Sequence, residues 1–195
     1  SHPQAIQEIF TADPQLFDSG QSNQLLQPLL GDASVISLDG DRHQQQRQLL
    51  MPPFHGERMR AYGDLIVKIT QQVAAEWRVG QTFNVRESIQ NISLQIILQA
   101  VFGVTDSKQY QALLQILPSM IDRVSSPLSS SFLFIPALQQ DWGAWSPWGK
   151  FVRQRSHLNQ LIYQEIAERR IHFDPDRTDI LTLMLSARDD TGQPM

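Results

Sequence analysis

Two side chains that can bind an anion, His43 and Arg47, stand four residues apart in a polar segment of the chain. The segment predicts a short helix that ends at Pro52 and Pro53, because proline lacks the backbone N–H that continues a helix. Residues four apart lie on the same face of a helix. An imidazole and a guanidinium placed in this way can both donate hydrogen bonds to a carboxylate or phosphate. The same spacing is typical of a solvent-exposed polar face, so it indicates an anion site without requiring one.

The sequence gives little indication of a metal site or a catalytic nucleophile. The chain has no cysteine, which excludes disulfides, cysteine-based zinc sites and thiol nucleophiles formed by these residues and fits a reducing, cytoplasmic location. Its five histidines include no pair at the spacing of a zinc or iron site. We therefore expect no metal site built from the residues of this sequence.

The composition is that of a soluble globular protein. The chain has 195 residues, of which 41% are hydrophobic and 18% are charged, and this balance excludes extensive disorder. A formal net charge of -4 and the lack of a basic run among aromatic residues argue against nucleic acid as a partner. No apolar run is long enough for a transmembrane helix, and no leader sequence is expected.

Apolar periodicity predicts an all-α chain with little or no sheet. Asn84 and Glu87 are spaced as a capping box, Ser146 caps a long helix that begins at Pro147, and Pro118 is expected to kink or split the helix that contains it. The apolar body of the helix after Asn84 is expected to lie inside the core on all sides. The predicted helices are 3–10, 41–51, 57–78, 84–101, 106–124, 147–173 and 179–187, with an irregular stretch at 20–37.

Residues 125–146 are predicted to form a long loop that is unusually rich in apolar and aromatic side chains. Loops of this length without their own secondary structure are often lids or binding loops. The alternative is that the aromatic side chains pack beneath the loop as a small satellite core. The sequence leaves both interpretations open.

The segment around His43 and Arg47 resembles the C helix of the cytochrome P-450 family. The resemblance is carried by the pattern H-x-x-x-R-x-L-L-x-P-x-F over residues 43–54 and by the Leu-Asp-Gly-Asp run at 38–41. The order of predicted helices is similar to helices B to H of that family over essentially all 195 residues. The ending at 186–195 resembles bacterial members close to the fatty-acid hydroxylases.

The resemblance implies a fragment of one larger cytochrome P-450 domain, with the N-terminal strands before residue 1 and the I to L helices with the cysteine loop after residue 195. It implies haem b whose iron is bound by a downstream cysteine, and a monooxygenase that inserts one atom of dioxygen into a lipophilic substrate such as a fatty acid. Electrons would come from a ferredoxin-like or reductase donor. The fragment itself contains no catalytic residue and is not expected to turn over.

The resemblance also assigns roles to eight residues. His43 and Arg47 would donate to the haem propionates, and Arg42 would lie on the surface where the redox partner docks. The haem face and the substrate roof would be lined by Ser34, Val35, Ile36, Leu117 and Ile121. For these five residues ordinary core packing is the alternative interpretation.

The sequence is also compatible with a second class of function. The chain can also be interpreted as a non-enzymatic helical module, or as a relic that no longer binds haem. This alternative predicts a colourless purified protein.

Overall fold

A computed structural model describes residues 2–13, 16, 19–103, 107–125, 135–143, 145–188 and 192 of the chain. The described residues form helices and short 3₁₀ turns with no sheet, which confirms the predicted all-α class. The chain divides into two compact units, residues 1–48 and residues 49–195. The helices are α1 Pro3–Thr11, α2 Ser19–Ser22, α3 Gln27–Leu30, α4 Gly40–Leu50, α5 Glu57–Ala74, α6 Val85–Phe102, α7 Lys108–Ser125, α8 Pro147–Ile171 and α9 Ile180–Ser186.

The stretch 20–37 in the first unit is more regular than the sequence predicted. It contains α3, the end of α2, and 3₁₀ turns at Asn23–Leu26 and Val35–Ser37. Pro28 lies in the first turn of α3, where a backbone N–H would have no partner within the helix, so proline is tolerated there. The prediction of an irregular segment was therefore wrong, because proline both interrupts helices and begins them.

The second unit begins with the antiparallel neighbours α5 and α6. Ile69 and Val73 of α5 are buried against Ile92 of α6. α5 ends at Ala74, before the predicted end at residue 78. Beyond it Trp77 stacks on Phe83 with ring centroids 4.9 Å apart, and this contact accompanies the turn that leads to α6.

Both ends of α6 are fixed by local hydrogen bonds. The Asn84 side chain accepts a hydrogen bond from the Arg86 N–H at 3.1 Å and donates to Glu87 Oε1 at 2.8 Å. The predicted cap is present, although Glu87 contacts the Asn84 side chain instead of its backbone. The helix stops at Gly103, whose φ of +62° is a conformation that glycine adopts without strain.

The expectation that α6 is buried on all sides was wrong. Leu94, Leu98 and Phe102 are buried, whereas Ile89 and Ile97 are 51% and 57% exposed. Within the described part of the chain, α6 packs on α5, α7 and α9. The helix therefore carries apolar side chains on faces that these neighbours do not cover.

The main core of the second unit lies between α6, α7 and α9, and α8 packs along its edge. α7 continues through Pro118 as a single helix, so the proline does not split it. The buried members of the core are Leu94, Leu98, Phe102, Tyr110, Leu113 and Leu181. Burial of such side chains is worth about 1.5–3 kcal/mol each.

The last two helices both begin with a side-chain cap, of which the one at Ser146 was predicted. The Ser146 hydroxyl accepts a hydrogen bond from the Gly149 N–H at 2.9 Å at the start of α8. The Asp179 carboxylate accepts one from the Thr182 N–H at 3.0 Å at the start of α9. Side-chain acceptors at these positions satisfy backbone donors that have no partner inside the helix.

Only part of the aromatic loop at 125–146 can be compared with the prediction, because residues 126–134 lie outside the described residues. Trp142 and Trp145 are described, and they stack with ring centroids 6.1 Å apart. They are 48% and 70% exposed. These two tryptophans therefore do not form the satellite core that was one of the two interpretations.

A buried ion network joins α6, α8 and α9. Arg169 of α8 donates hydrogen bonds to Glu165, to Asp179 Oδ1 at 2.7 Å, to Thr182 Oγ1 at 2.7 Å and to the Phe102 carbonyl at 2.9 Å. Its side chain is 4% exposed. Buried charges are tolerated when they are paired and hydrogen-bonded, and the Arg169 guanidinium makes two ion pairs and four hydrogen bonds through its two terminal nitrogens.

Asp179 is expected to make the stability of the fold depend on pH in acid. Burial alone would raise the pKa of Asp179, but hydrogen bonds from Arg177, the Thr182 N–H and Arg169 outweigh it and hold the pKa below its usual 3.8. A carboxyl group with a lowered folded-state pKa stabilises the fold above its unfolded-state pKa and loses this effect as pH falls through the folded-state value. Stability should therefore fall below about pH 4.

Urea unfolding at a series of pH values measures this effect. The Asp179→Asn variant should be less stable at neutral pH and should show a smaller loss of stability in acid. An equal acid dependence in the variant and the wild type would show that Asp179 does not carry it.

Candidate functional site

His43 and Arg47 lie one turn apart on α4, as the sequence predicted. The helix begins at Gly40, where the N–H of His43 donates to the carbonyl of Asp39 at 3.3 Å. It ends at Leu50, before the 3₁₀ turn at Pro52–Phe54. The His43 side chain is half-buried and the Arg47 side chain is exposed.

The two side chains are unpaired in the part of the chain that the structure describes. Neither the His43 imidazole nor the Arg47 guanidinium has a hydrogen-bond or ion-pair partner among those residues. Arg47 lies in the last turn of α4, where the partial negative charge of the helix end favours a cation. Two nitrogen donors on one face, without a protein acceptor, can bind a carboxylate group from a ligand.

Arg42 precedes this pair on the same helix. It is exposed, and it too lacks a partner among the described residues. Successive helical residues are rotated by about 100° around the axis, so Arg42 does not lie on the face of His43 and Arg47. Its position allows a contact with a different molecule from the one that the pair would bind.

Ser34, Val35 and Ile36 lie together at the 3₁₀ turn of the first unit. Ser34 precedes the turn, and Val35 begins it. Ser34 and Val35 are half-buried and Ile36 is 50% exposed. The amide of Asn23 donates to the Ile36 carbonyl at 3.0 Å, which holds the backbone of the turn and leaves the Ile36 side chain available for contact.

Leu117 and Ile121 lie one turn apart on α7 in the second unit. Leu117 is half-buried and packs against the main core, so it has a packing role. Ile121 is 46% exposed and is available for a ligand or another protein segment. The core-packing alternative thus has structural support for Leu117 and not for Ile121.

The donors present on α4 suit the carboxylate end of a haem. Among the described residues no group of three or more His, Asp or Glu side chains could hold a metal ion, and the sequence has no cysteine. The two unpaired donors on α4 match the chemistry of propionates, since charge-assisted hydrogen bonds to carboxylates are among the stronger ones in proteins.

In the described part of the chain, no helix is long and apolar enough to cross a membrane.

Sequence reasoning did not predict the contacts of Asp39, which immediately precedes α4. Its carboxylate accepts hydrogen bonds from the N–H groups of Gly20 at 2.6 Å and Gln21 at 3.0 Å. These partners are 19 and 18 residues away along the chain. The Asp-Gly pair before a predicted helix was a signal for a cap, but it does not specify which distant amides the carboxylate binds.

The chain is helical in its described part and presents two nitrogen donors on one face of α4 that can bind a carboxylate. A family model described as Cytochrome P450 matches residues 1–195. The chain belongs to the cytochrome P450 family.

Individual relatives agree with this assignment. The chain is 33% identical over 196 residues to the "Putative cytochrome P450 135A1" of Mycobacterium tuberculosis, with 100% of this chain and 42% of that protein covered. It is 36% identical over 194 residues to the "Putative cytochrome P450 138" of Mycobacterium bovis, with 99% of this chain and 42% of that protein covered. The chain thus spans less than half the length of these relatives.

A solved structure shares the fold. The retinoic acid-bound cyanobacterial CYP120A1 superimposes with a TM-score of 0.66 at 20% sequence identity, with 86% of this chain and 35% of that chain covered. At this identity the similarity concerns the fold alone.

Proposed function

We propose that the chain is part of a haem-dependent monooxygenase that inserts one oxygen atom from dioxygen into a lipophilic substrate. Family membership supports the class of enzyme. The observation that carries the proposal to particular residues is the pair of unpaired donors, His43 and Arg47, on one face of α4. Both units of this chain would then belong to one larger domain.

His43 and Arg47 would hold the haem by its propionates. The planar guanidinium of Arg47 can donate two parallel hydrogen bonds to one carboxylate, whereas a neutral imidazole donates one. Bound haem supplies the binding and reduction of dioxygen. α4 would fix the position of the cofactor by two charge-assisted contacts from one face. Its other faces would remain available for packing.

The substrate would contact exposed apolar side chains. Ile36 and Ile121 expose apolar surface, and Ser34 and Val35 immediately precede Ile36. Sites for lipophilic ligands are lined mainly by apolar side chains with few polar groups. The proposed substrate class is therefore lipophilic, and a fatty acid is the first member to test.

The 195-residue chain is not expected to turn over by itself. The family chemistry requires a cysteine thiolate on the iron, and this sequence contains none. The ligand would come from another part of the longer protein.

Incorporation of isotope-labelled dioxygen tests the proposed reaction. The whole protein, loaded with haem and supplied with electrons by a ferredoxin and its reductase, should place one labelled atom in a fatty acid or another lipophilic substrate. Haem-loaded protein that is reduced but transfers no label to any member of a lipophilic substrate panel would count against a monooxygenase. It would favour the non-enzymatic alternative.

Arg42→Glu is expected to slow electron delivery in a salt-dependent way. Arg42 is exposed and unpaired among the described residues, and a charge at the edge of a docking surface acts mainly on the association rate. Stopped-flow reduction by an acidic ferredoxin should slow by about tenfold at low ionic strength and change little at high salt. Arg60→Glu, an equal charge change at an exposed residue on α5, is the control. A salt-independent effect would exclude Arg42 from the docking surface.

The isolated chain is expected to be helical but prone to associate. Ile66, Ile89 and Ile97 are 44%, 51% and 57% exposed, and each half-buried side chain of this size forgoes about 1 kcal/mol. Leu49, by contrast, is already buried, so it needs no further partner. Circular dichroism should show strong helical signal, and an apolar dye should bind. A monomer that melts sharply without dye binding would show that these helices form a complete domain.

A further inference from the structure

The segment 20–39 is closed on itself by side-chain hydrogen bonds. Asp39 accepts from the N–H groups of Gly20 and Gln21 at 2.6 and 3.0 Å. Asn23 donates to the Ile36 carbonyl at 3.0 Å. The first turn of α4 starts at the same residue, because the Asp39 carbonyl accepts the His43 N–H. Asp39 thus binds two backbone segments at once, one through its side chain and one through its main chain.

The backbone at Gly20 lies so close to the segment 37–39 that there is no room for a side chain. A Cβ atom added there would lie 2.7 Å from Asp39 Oδ2 and 2.8 Å from the backbone carbonyl of Ser37. Gly20 is itself buried. The contact between Gly20 and Asp39 therefore depends on both residues, and either one can be changed to break it.

The segment closed in this way carries residues of the proposed site. Ser34, Val35 and Ile36 lie within it, and the turn at Val35–Ser37 packs on α2. His43 lies four residues after Asp39, which makes the closing contact. The geometry of the closure therefore affects both the 34–36 turn and the first turn of α4.

We propose that Asp39 is a positioning residue that fixes the 34–36 turn and the His43–Arg47 face of α4 relative to each other. It touches neither the cofactor nor the substrate. Its carboxylate holds the start of α2 while its carbonyl holds His43, so a shift of one segment is transmitted to the other. The proposal rests on the proposed function, because it requires that His43 and Arg47 bind the haem propionates.

The test uses the whole haem-loaded protein and four variants. Asp39→Ala removes both acceptor oxygens, Asp39→Asn keeps one in the same shape, and Gly20→Ala displaces the carboxylate while leaving Asp39 in place. Gly63→Ala on α5 is the matched control, since a Cβ there meets nothing within 4 Å. If Gly20→Ala does not fold, the nearly isosteric Asp39→Asn still tests the contact.

The rate of haem transfer to an excess of apomyoglobin should rise about tenfold in Asp39→Ala and Gly20→Ala, and by about threefold in Asp39→Asn, in line with the loss of charged hydrogen bonds. Gly63→Ala should match the wild type. The resonance Raman bands of the haem propionates should shift in the first three variants, and the amides of Gly20, Gln21 and His43 should exchange hydrogen faster.

Two results would overturn the proposal. One is unchanged haem transfer and unchanged propionate bands in Asp39→Ala while the three amides lose protection. The other is a lowered thermal midpoint with unchanged propionate bands, which would make Asp39 a structural cap only. Failure of the proposed function gives a different result, because the His43→Ala/Arg47→Ala double variant would then retain haem as well as the wild type.

Discussion

Arg169→Ala is expected to lower the free energy of unfolding by about 3–5 kcal/mol, because it leaves the buried Glu165 carboxylate without its cation and leaves Asp179 with Arg177 alone. The Arg169 side chain is 4% exposed and the Asp179 side chain 3%. Removal of the guanidinium also takes one hydrogen-bond donor from the Thr182 hydroxyl. The Phe102 carbonyl, which accepts from both Arg169 and Arg177, would keep only Arg177 among its described side-chain donors. An effect of this size is comparable to the whole stability of many domains.

Arg170→Ala is the matched control for this change. Arg170 is the next residue on α8, is exposed, and has no partner among the described residues, so its loss should change stability by less than about 0.5 kcal/mol. Urea denaturation of both variants in the same background measures the difference. Equal midpoints for the two variants would show that the network at Arg169 does not stabilise the fold.

Arg47→Ala is expected to weaken haem retention in the whole protein by about tenfold, and more than His43→Ala. The guanidinium is charged at every accessible pH and can form two parallel bonds to one propionate, whereas a neutral imidazole forms one. The double variant should retain the least haem. Haem content per protein after gel filtration, and the rate of haem loss, are the measurements.

Gln48→Ala is the control for changes on the same helix. Gln48 is exposed on α4 and is not part of the proposed pair, so its replacement should leave haem content unchanged. If the double variant at His43 and Arg47 keeps the haem content of the wild type, the propionate assignment is wrong.

The positions of helix ends with a local cap could be predicted from the sequence. Ser146 with Pro147 and Asp179 at the start of α9 act through backbone groups within three residues, so their signal lies in neighbouring residues. The end of α5 was predicted too late: the helix stops at Ala74, and Trp77 beyond it stacks on Phe83. That contact is not visible in the periodicity of α5 alone.

Contacts between distant residues could not be predicted. Arg169 and Phe102 are 67 residues apart, and Gly20 and Asp39 are 19 apart. Glu165, four residues before Arg169, is a local sign of an ion pair on one helix face, but it does not indicate that Arg169 is buried while Arg170 is exposed. The shared face of His43 and Arg47, by contrast, follows from helix geometry alone, whereas the roles of Ile36 and Ile121 rest on the family resemblance and stay predictions.

The carbon monoxide difference spectrum of the reduced protein tests the central proposal most directly. The whole protein should bind haem and give the red-shifted band of a thiolate-ligated iron, and the 195-residue chain mixed with haem should not, because its sequence has no cysteine. A whole protein that stays colourless in the presence of haem, or that binds haem without the thiolate band, would contradict the proposal that this chain is part of a haem-thiolate monooxygenase.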